Sequence, residues 1–149
     1  MYYIQNDHIA FRTMGVENLG IASLEKVFLH YGYQKKDLYS FPAKNLTAYW
    51  YAPPLPKYPR IFISQLMVDQ LTDETAAIIR SYTSEIKQDP VDMLNLDNAE
   101  QVDNFLHEPL WRTPSWQDYK ALSKESEYAA WVISIRYSLI HFKLSFPIL

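Results

Sequence analysis

The sequence has no cysteine, and that absence removes disulfide cross-linking, a thiolate nucleophile and thiolate-ligated zinc together. Glycine is nearly as scarce. Gly15, Gly20 and Gly32 all precede residue 33, so neither a phosphate-cradling loop nor a dinucleotide fingerprint can be built. Positive charge is thin as well: 14 Lys and Arg stand against 17 Asp and Glu, for a net charge of −3. The densest basic run is Lys35-Lys36, which is no electrostatic footprint for nucleic acid. No apolar run nears the length needed to span a bilayer, and the N-terminus lacks the basic-then-apolar order of a secretory leader. A soluble, cytoplasmic protein with neither a nucleic-acid nor a membrane partner is expected.

What is present belongs to a globular protein. The 149 residues are 48% hydrophobic and 21% charged, enough to bury a core in one domain spanning residues 1–149. The pattern along the chain predicts α+β architecture with the helices grouped. Ile21, Leu24, Val27, Phe28 and Tyr31 recur at helical spacing, with Gly32 at the capping position. Strands are expected at Tyr33–Phe41, Leu46–Tyr51 and Arg60–Val68, the first two joined by the turn residues Pro42-Ala43-Lys44-Asn45. The run from Ala52 to Pro59 reads as a stiff connector. Helices follow at Asp73–Tyr82, capped by Thr72, at Asn98–Leu106, after the Thr113-Pro114 pair, and at Glu127–Tyr137. His30 and His107 fall in last turns and read as solvated.

Two further stretches carry chemistry. In Asn6–Thr13, strand alternation puts His8, Ala10 and Arg12 on one face and Ile9, Phe11 and Thr13 on the other. In Leu139–Phe146, strict alternation does the same for His141, Lys143 and Ser145 against Ile140, Phe142, Leu144 and Phe146. Imidazole can ligate a metal or move a proton, and guanidinium can clamp a carboxylate bidentately. If the two strands are neighbours, His8 and His141 supply two-thirds of the set that holds non-haem Fe(II). An exposed polar face or a purely structural role accounts for the same spacing.

Asp7–Thr13, Leu24–Phe28, Ala48–Pro54, Pro59–Ser64 and Ser126–Trp131 together resemble the 2-oxoadipate dioxygenase/decarboxylase family, also called hydroxyglutarate synthase, over nearly the whole chain. The resemblance implies a curved, mixed or antiparallel sheet related to the vicinal-oxygen-chelate fold, elaborated by a helical insertion. It implies Fe(II) held by two His and a Glu, and conversion of 2-oxoadipate and O2 into 2-hydroxyglutarate and CO2 in lysine breakdown. By motif match, His8 and His141 would be metal ligands and Arg12 would hold a substrate carboxylate. Ile140-His141-Phe142-Lys143 stands where the family typically has Asn-His-Phe-Thr. The family's Glu lies beyond the length of this chain, and Phe146-Pro147-Ile148-Leu149 has no family counterpart. A C-terminally truncated copy is therefore expected, with two outcomes: an active oxygenase, or a catalytically silent module that associates with another chain, as a homo-oligomer, through an exposed sheet edge.

Overall fold

The first strand pairs not with the next strand in sequence but, in parallel, with the fourth, and this pairing sets the layout of the molecule. The structure is a computed structural model describing residues 8–135 and 139–141, with residues 135 and 139–141 described through their backbone alone. Its elements are β1 (His8–Met14), α1 (Ile21–His30), β2 (Gln34–Phe41), β3 (Leu46–Ala52), β4 (Arg60–Leu66), α2 (Asp73–Thr83), α3 (Ala99–His107), α4 (Trp116–Glu125), α5 (Glu127–Ile135) and β5 (Leu139–His141). The strands form a mixed sheet in the order β2-β3-β4-β1-β5. The β2-β3 and β3-β4 pairs are antiparallel hairpins, whereas β1 reaches β4 in parallel because α1 carries the chain across the sheet. The expected α+β class is what the chain adopts.

Alternation divides the sheet as the sequence indicates. Phe11, Thr13, Ile61, Ile63 and Tyr51 are buried, and α1 packs over that side through the Phe11–Phe28 ring contact at 5.2 Å and the Tyr51 hydroxyl, which donates to Glu25 at 2.7 Å. The other face carries His8, Ala10 and Arg12 in register with Arg60, Phe62 and Ser64 of β4. Helices α4 and α5 flank this second face and leave part of it open.

Gly20 begins α1 at φ +89° and offers no side-chain cap. Gln65 of β4 supplies the missing acceptor, taking the Ile21 N–H on its Oε1 at 2.9 Å. The space is specific to glycine, since a Cβ on Gly20 would meet that same oxygen at 2.6 Å. At the other end Gly32, at φ +93°, follows the last turn as expected.

Several boundaries differ from the sequence reading. The fourth strand stops at Leu66, because Val68 is fully buried and draws the chain into a 3₁₀ turn at Val68–Gln70. The helix expected after Thr113-Pro114 starts at Trp116 with Ser115 as its cap, the Ser115 hydroxyl accepting from the Asp118 N–H at 3.1 Å. His30 is not simply solvated: its Nε2 lies 2.8 Å from Asp97 Oδ1. His107 is exposed, with Nδ1 2.8 Å from the Asp103 carbonyl. Asn6 and Asp7, the helix end at Tyr137, and Phe142–Phe146 of the last strand, with Lys143 and Ser145, lie outside the described residues.

Candidate functional site

The open face of the sheet and the α4-α5 corner enclose a cleft of about 1090 Å³. Its floor is His8, Ala10 and Arg12 of β1, Arg60, Phe62 and Ser64 of β4, and Leu46 and Ala48 of β3. Phe41 and Lys44 close one side, and Tyr128 and Trp131 of α5 close the other. Small side chains at Ala10, Ala48 and Ser64 keep the centre of the floor low, while large ones rise at the rim. The period-two pattern in β1 that brings His8 and Arg12 to one face is thus also what delivers them to a concave surface.

Arg12 is held on an aromatic platform. Its guanidinium carbon is 4.2 Å from the centre of the Trp131 ring and 5.5 Å from that of Tyr128, both within cation–π range. Among the described residues no carboxylate pairs with it. The platform itself is pinned to the sheet by the Tyr128 hydroxyl, which accepts from the Thr13 N–H at 3.0 Å, donates to the Thr13 carbonyl at 3.2 Å and lies 2.8 Å from Ser64 Oγ. Burial pushes the Tyr128 pKa above its ordinary value, so the phenol stays protonated and keeps its donor role through the physiological range.

His8 is exposed at the other end of the same face, its ring 5.5 Å from that of Phe62. Four residues of strand separate it from Arg12, roughly 13 Å between α-carbons. Strand β5 lies antiparallel beside β1, with His141 registered opposite Ile9. The two histidine-bearing strands are therefore neighbours, but this register sets His141 beside Ile9, on the sheet face opposite that of His8. The His141 side chain, on which convergence of the imidazoles depends, lies outside the described residues. Among the described residues no three His, Cys, Asp or Glu side chains gather to hold a metal ion, so these residues do not amount to an iron site by themselves.

Three cleft residues went unassigned from sequence. Tyr128 and Trp131 are spaced three apart on a helix, which is the signature of a core face as much as of a platform. Arg60 follows Pro59 at a strand start, and only the parallel register with His8 reveals which face it occupies.

Together the mixed sheet and its basic, aromatic-walled cleft define an α+β protein with a ligand-sized cup on one sheet face. In fold alone the chain is similar to a putative glyoxalase superfamily protein from Ralstonia eutropha JMP134, at 18% identity and TM-score 0.71 over 91% of this chain and 50% of that one. Sequence carries the assignment further. The chain belongs to the 2-oxoadipate dioxygenase/decarboxylase family, whose model matches residues 2–146. It is 39% identical over 150 residues to the chloroplastic 2-oxoadipate dioxygenase/decarboxylase of Arabidopsis thaliana, covering 93% of this chain. It is also similar to the hydroxyglutarate synthase of Oryza sativa, crystallised in complex with 2-oxoadipate, at 36% identity and TM-score 0.74 over 89% of this chain and 44% of that one. The chain spans 38% and 40% of the length of the two curated plant relatives it matches.

Proposed function

We propose that this chain is the acid-binding portion of a non-haem Fe(II) oxygenase that takes 2-oxoadipate and O2 to 2-hydroxyglutarate and CO2. The observation that carries the reading is the Arg12 guanidinium, stacked on Trp131 in a cleft that also holds His8, with no carboxylate partner among the described residues. A guanidinium so placed is a preorganised fork for a carboxylate. The Trp131 indole covers one of its faces, lowers the local dielectric and strengthens a hydrogen-bonded ion pair made at its edge. Tyr128 keeps Arg12 from swinging away by fixing the strand position next to it. His8 would offer an imidazole to the iron, which when bound supplies the oxygen chemistry. The other donors, His141 among them, would have to reach it from outside the described side chains.

The full chain, loaded anaerobically with Fe(II), tests this directly. About one retained iron per chain and O2 uptake dependent on 2-oxoadipate are expected. His8→Ala should lower the iron content, and Arg12→Met should keep the iron while lowering kcat/KM by about 10–100-fold, the loss of one charge-assisted contact. No retained iron and no turnover with both histidines intact would remove the enzymatic reading.

A second reading, a catalytically silent module that associates with another chain, is favoured by one feature. Every residue of edge strand β2 is exposed, and Leu38 and Phe41 are large apolar side chains among them, 56% and 48% exposed. An open, partly apolar edge is a template for further strand pairing.

A further inference from the structure

Edge strand β2 is exposed along its whole length, yet it carries Leu38, Tyr39 and Phe41, three of the nine large apolar side chains that the described residues expose. Exposed apolar surface is thus concentrated on one open edge, where it invites a covering chain. Three charges sit beside these side chains. Lys35 is already engaged, its Nζ 2.9 Å from Glu25 Oε1 and 4.0 Å from the centre of the Tyr49 ring. Lys36 and Asp37 have no ionic partner among the described residues, and Asp37 accepts only from the Trp50 indole, at 3.2 Å.

A bulge decides how these residues are presented. Lys35 is registered with Tyr51 and Leu38 with Tyr49, which leaves Lys36 and Asp37 together against Trp50. In an unbroken strand Lys35 and Leu38 would stand on opposite faces, but here they share the face of Tyr49 and Tyr51. Gln34 and Tyr39, registered with Ala52 and Ala48, share the other. Residues directly opposite one another in an antiparallel pair share a face. A second β2 related by a two-fold axis between Lys36 and Asp37 meets that requirement. It sets Lys36 of each copy against Asp37 of the other, Lys35 against Leu38, and Gln34 against Tyr39. Symmetry makes the ion pair twice, and the Lys35 stem can lie over Leu38 while its charge stays on Glu25. Lysines and bulges ordinarily blunt an edge; about this axis they are complementary. A shift of one residue either way sets Lys36 against Lys36 or Asp37 against Asp37. We infer that β2 is an interface between two copies of this chain, joined antiparallel about this axis into one continuous sheet with both clefts on the same side. The inference rests on the reading of the chain as a module that associates with another chain, and it names the partner and the register.

Sedimentation velocity of the full chain tests it. One strand pairing is at the small end of specific interfaces, so a monomer–dimer equilibrium with Kd of roughly 1–100 μM is expected. Lys36→Asp alone and Asp37→Lys alone should each weaken the dimer by about tenfold or more, since each sets like charges together at both symmetric positions. Both side chains are exposed, and circular dichroism matching that of the unaltered chain checks that the variants fold. An equimolar mixture of the two variants should recover the dimer, as one copy of each, because every facing pair is then opposite in charge. Folded single variants that dimerise like the unaltered chain, or a mixture of them that stays monomeric, would overturn the inference. In the first case association itself stands and only the β2 register falls. An unaltered chain that is monomeric up to about 1 mM removes both.

Discussion

Tyr128 ties the end of β1 to β4. The Thr13 N–H and carbonyl both bond to its hydroxyl, which lies 2.8 Å from Ser64 Oγ. One side chain thereby satisfies two backbone groups, contacts Ser64 and presents its ring to Arg12. Removing only the oxygen separates these roles. Tyr128→Phe keeps the ring beside Arg12 but leaves the Thr13 N–H without that acceptor, so stability should fall by about 1–3 kcal/mol. Urea unfolding should report this as a lowered midpoint with an unchanged slope. A midpoint equal to that of the unaltered chain would mean water replaces the phenol, and the strap would be dispensable.

Elements begin and end where side chains satisfy their ends, and the case of α2 was readable from the sequence. Thr72 precedes two acids and an apolar period, and its hydroxyl accepts from the Thr75 N–H at 3.3 Å while donating to Glu125. Thr72→Ala should destabilise by about 1 kcal/mol and Thr72→Ser by much less, measured by thermal or urea unfolding. The start of α4 was not readable in the same way, since Thr113-Pro114 and Ser115 both satisfy the local rule. The choice is made by Tyr82 of α2, whose hydroxyl accepts from the Ser115 N–H at 3.1 Å and donates to Asp118 at 2.6 Å. No local pattern encodes a partner 33 residues away. The site divides along the same line. His8 and Arg12 share a face by alternation within one strand, and that much was legible. Arg60 joins them through the register of a parallel pair, and Trp131 through the docking of a helix, both set by the packed molecule.

At the scale of the whole chain, the helical block is fastened to the sheet unit by carboxylates. Asp89 accepts from Ser23 and Lys26 of α1 at 2.7 and 2.8 Å and from the Val91 N–H at 2.9 Å. Burial alone would raise the pKa of Asp89, but these hydrogen bonds outweigh it and hold the carboxyl below its ordinary value. Glu125 is likewise lowered by the Thr75 and Thr72 hydroxyls. A carboxylate whose folded pKa is depressed stabilises fully above its unfolded pKa and loses that contribution as pH falls through the folded value. Stability should therefore be level near neutrality and decline below about pH 4. Asp89→Asn should be less stable than the unaltered chain at pH 7, with the gap closing as the pH is lowered through that window. Unfolding midpoints measured from pH 7 down to pH 3 would show it, and a gap independent of pH would assign the effect to packing instead of charge.

The glutamine that caps α1 has a consequence for how the chain assembles. The acceptor for the Ile21 N–H belongs to β4, 44 residues downstream, and β4 in turn lies against β1 through pairs such as His8 with Arg60. The first helix in the sequence cannot complete its N-terminus until a strand made much later has been threaded alongside the first. Local helix formation and long-range strand pairing are thereby coupled, and the loop-closure entropy of the parallel pair is met before the helix gains its full reward. The crossover from β1 through α1 to the hairpins thus folds as one cooperative body, and the floor of the cleft forms with it.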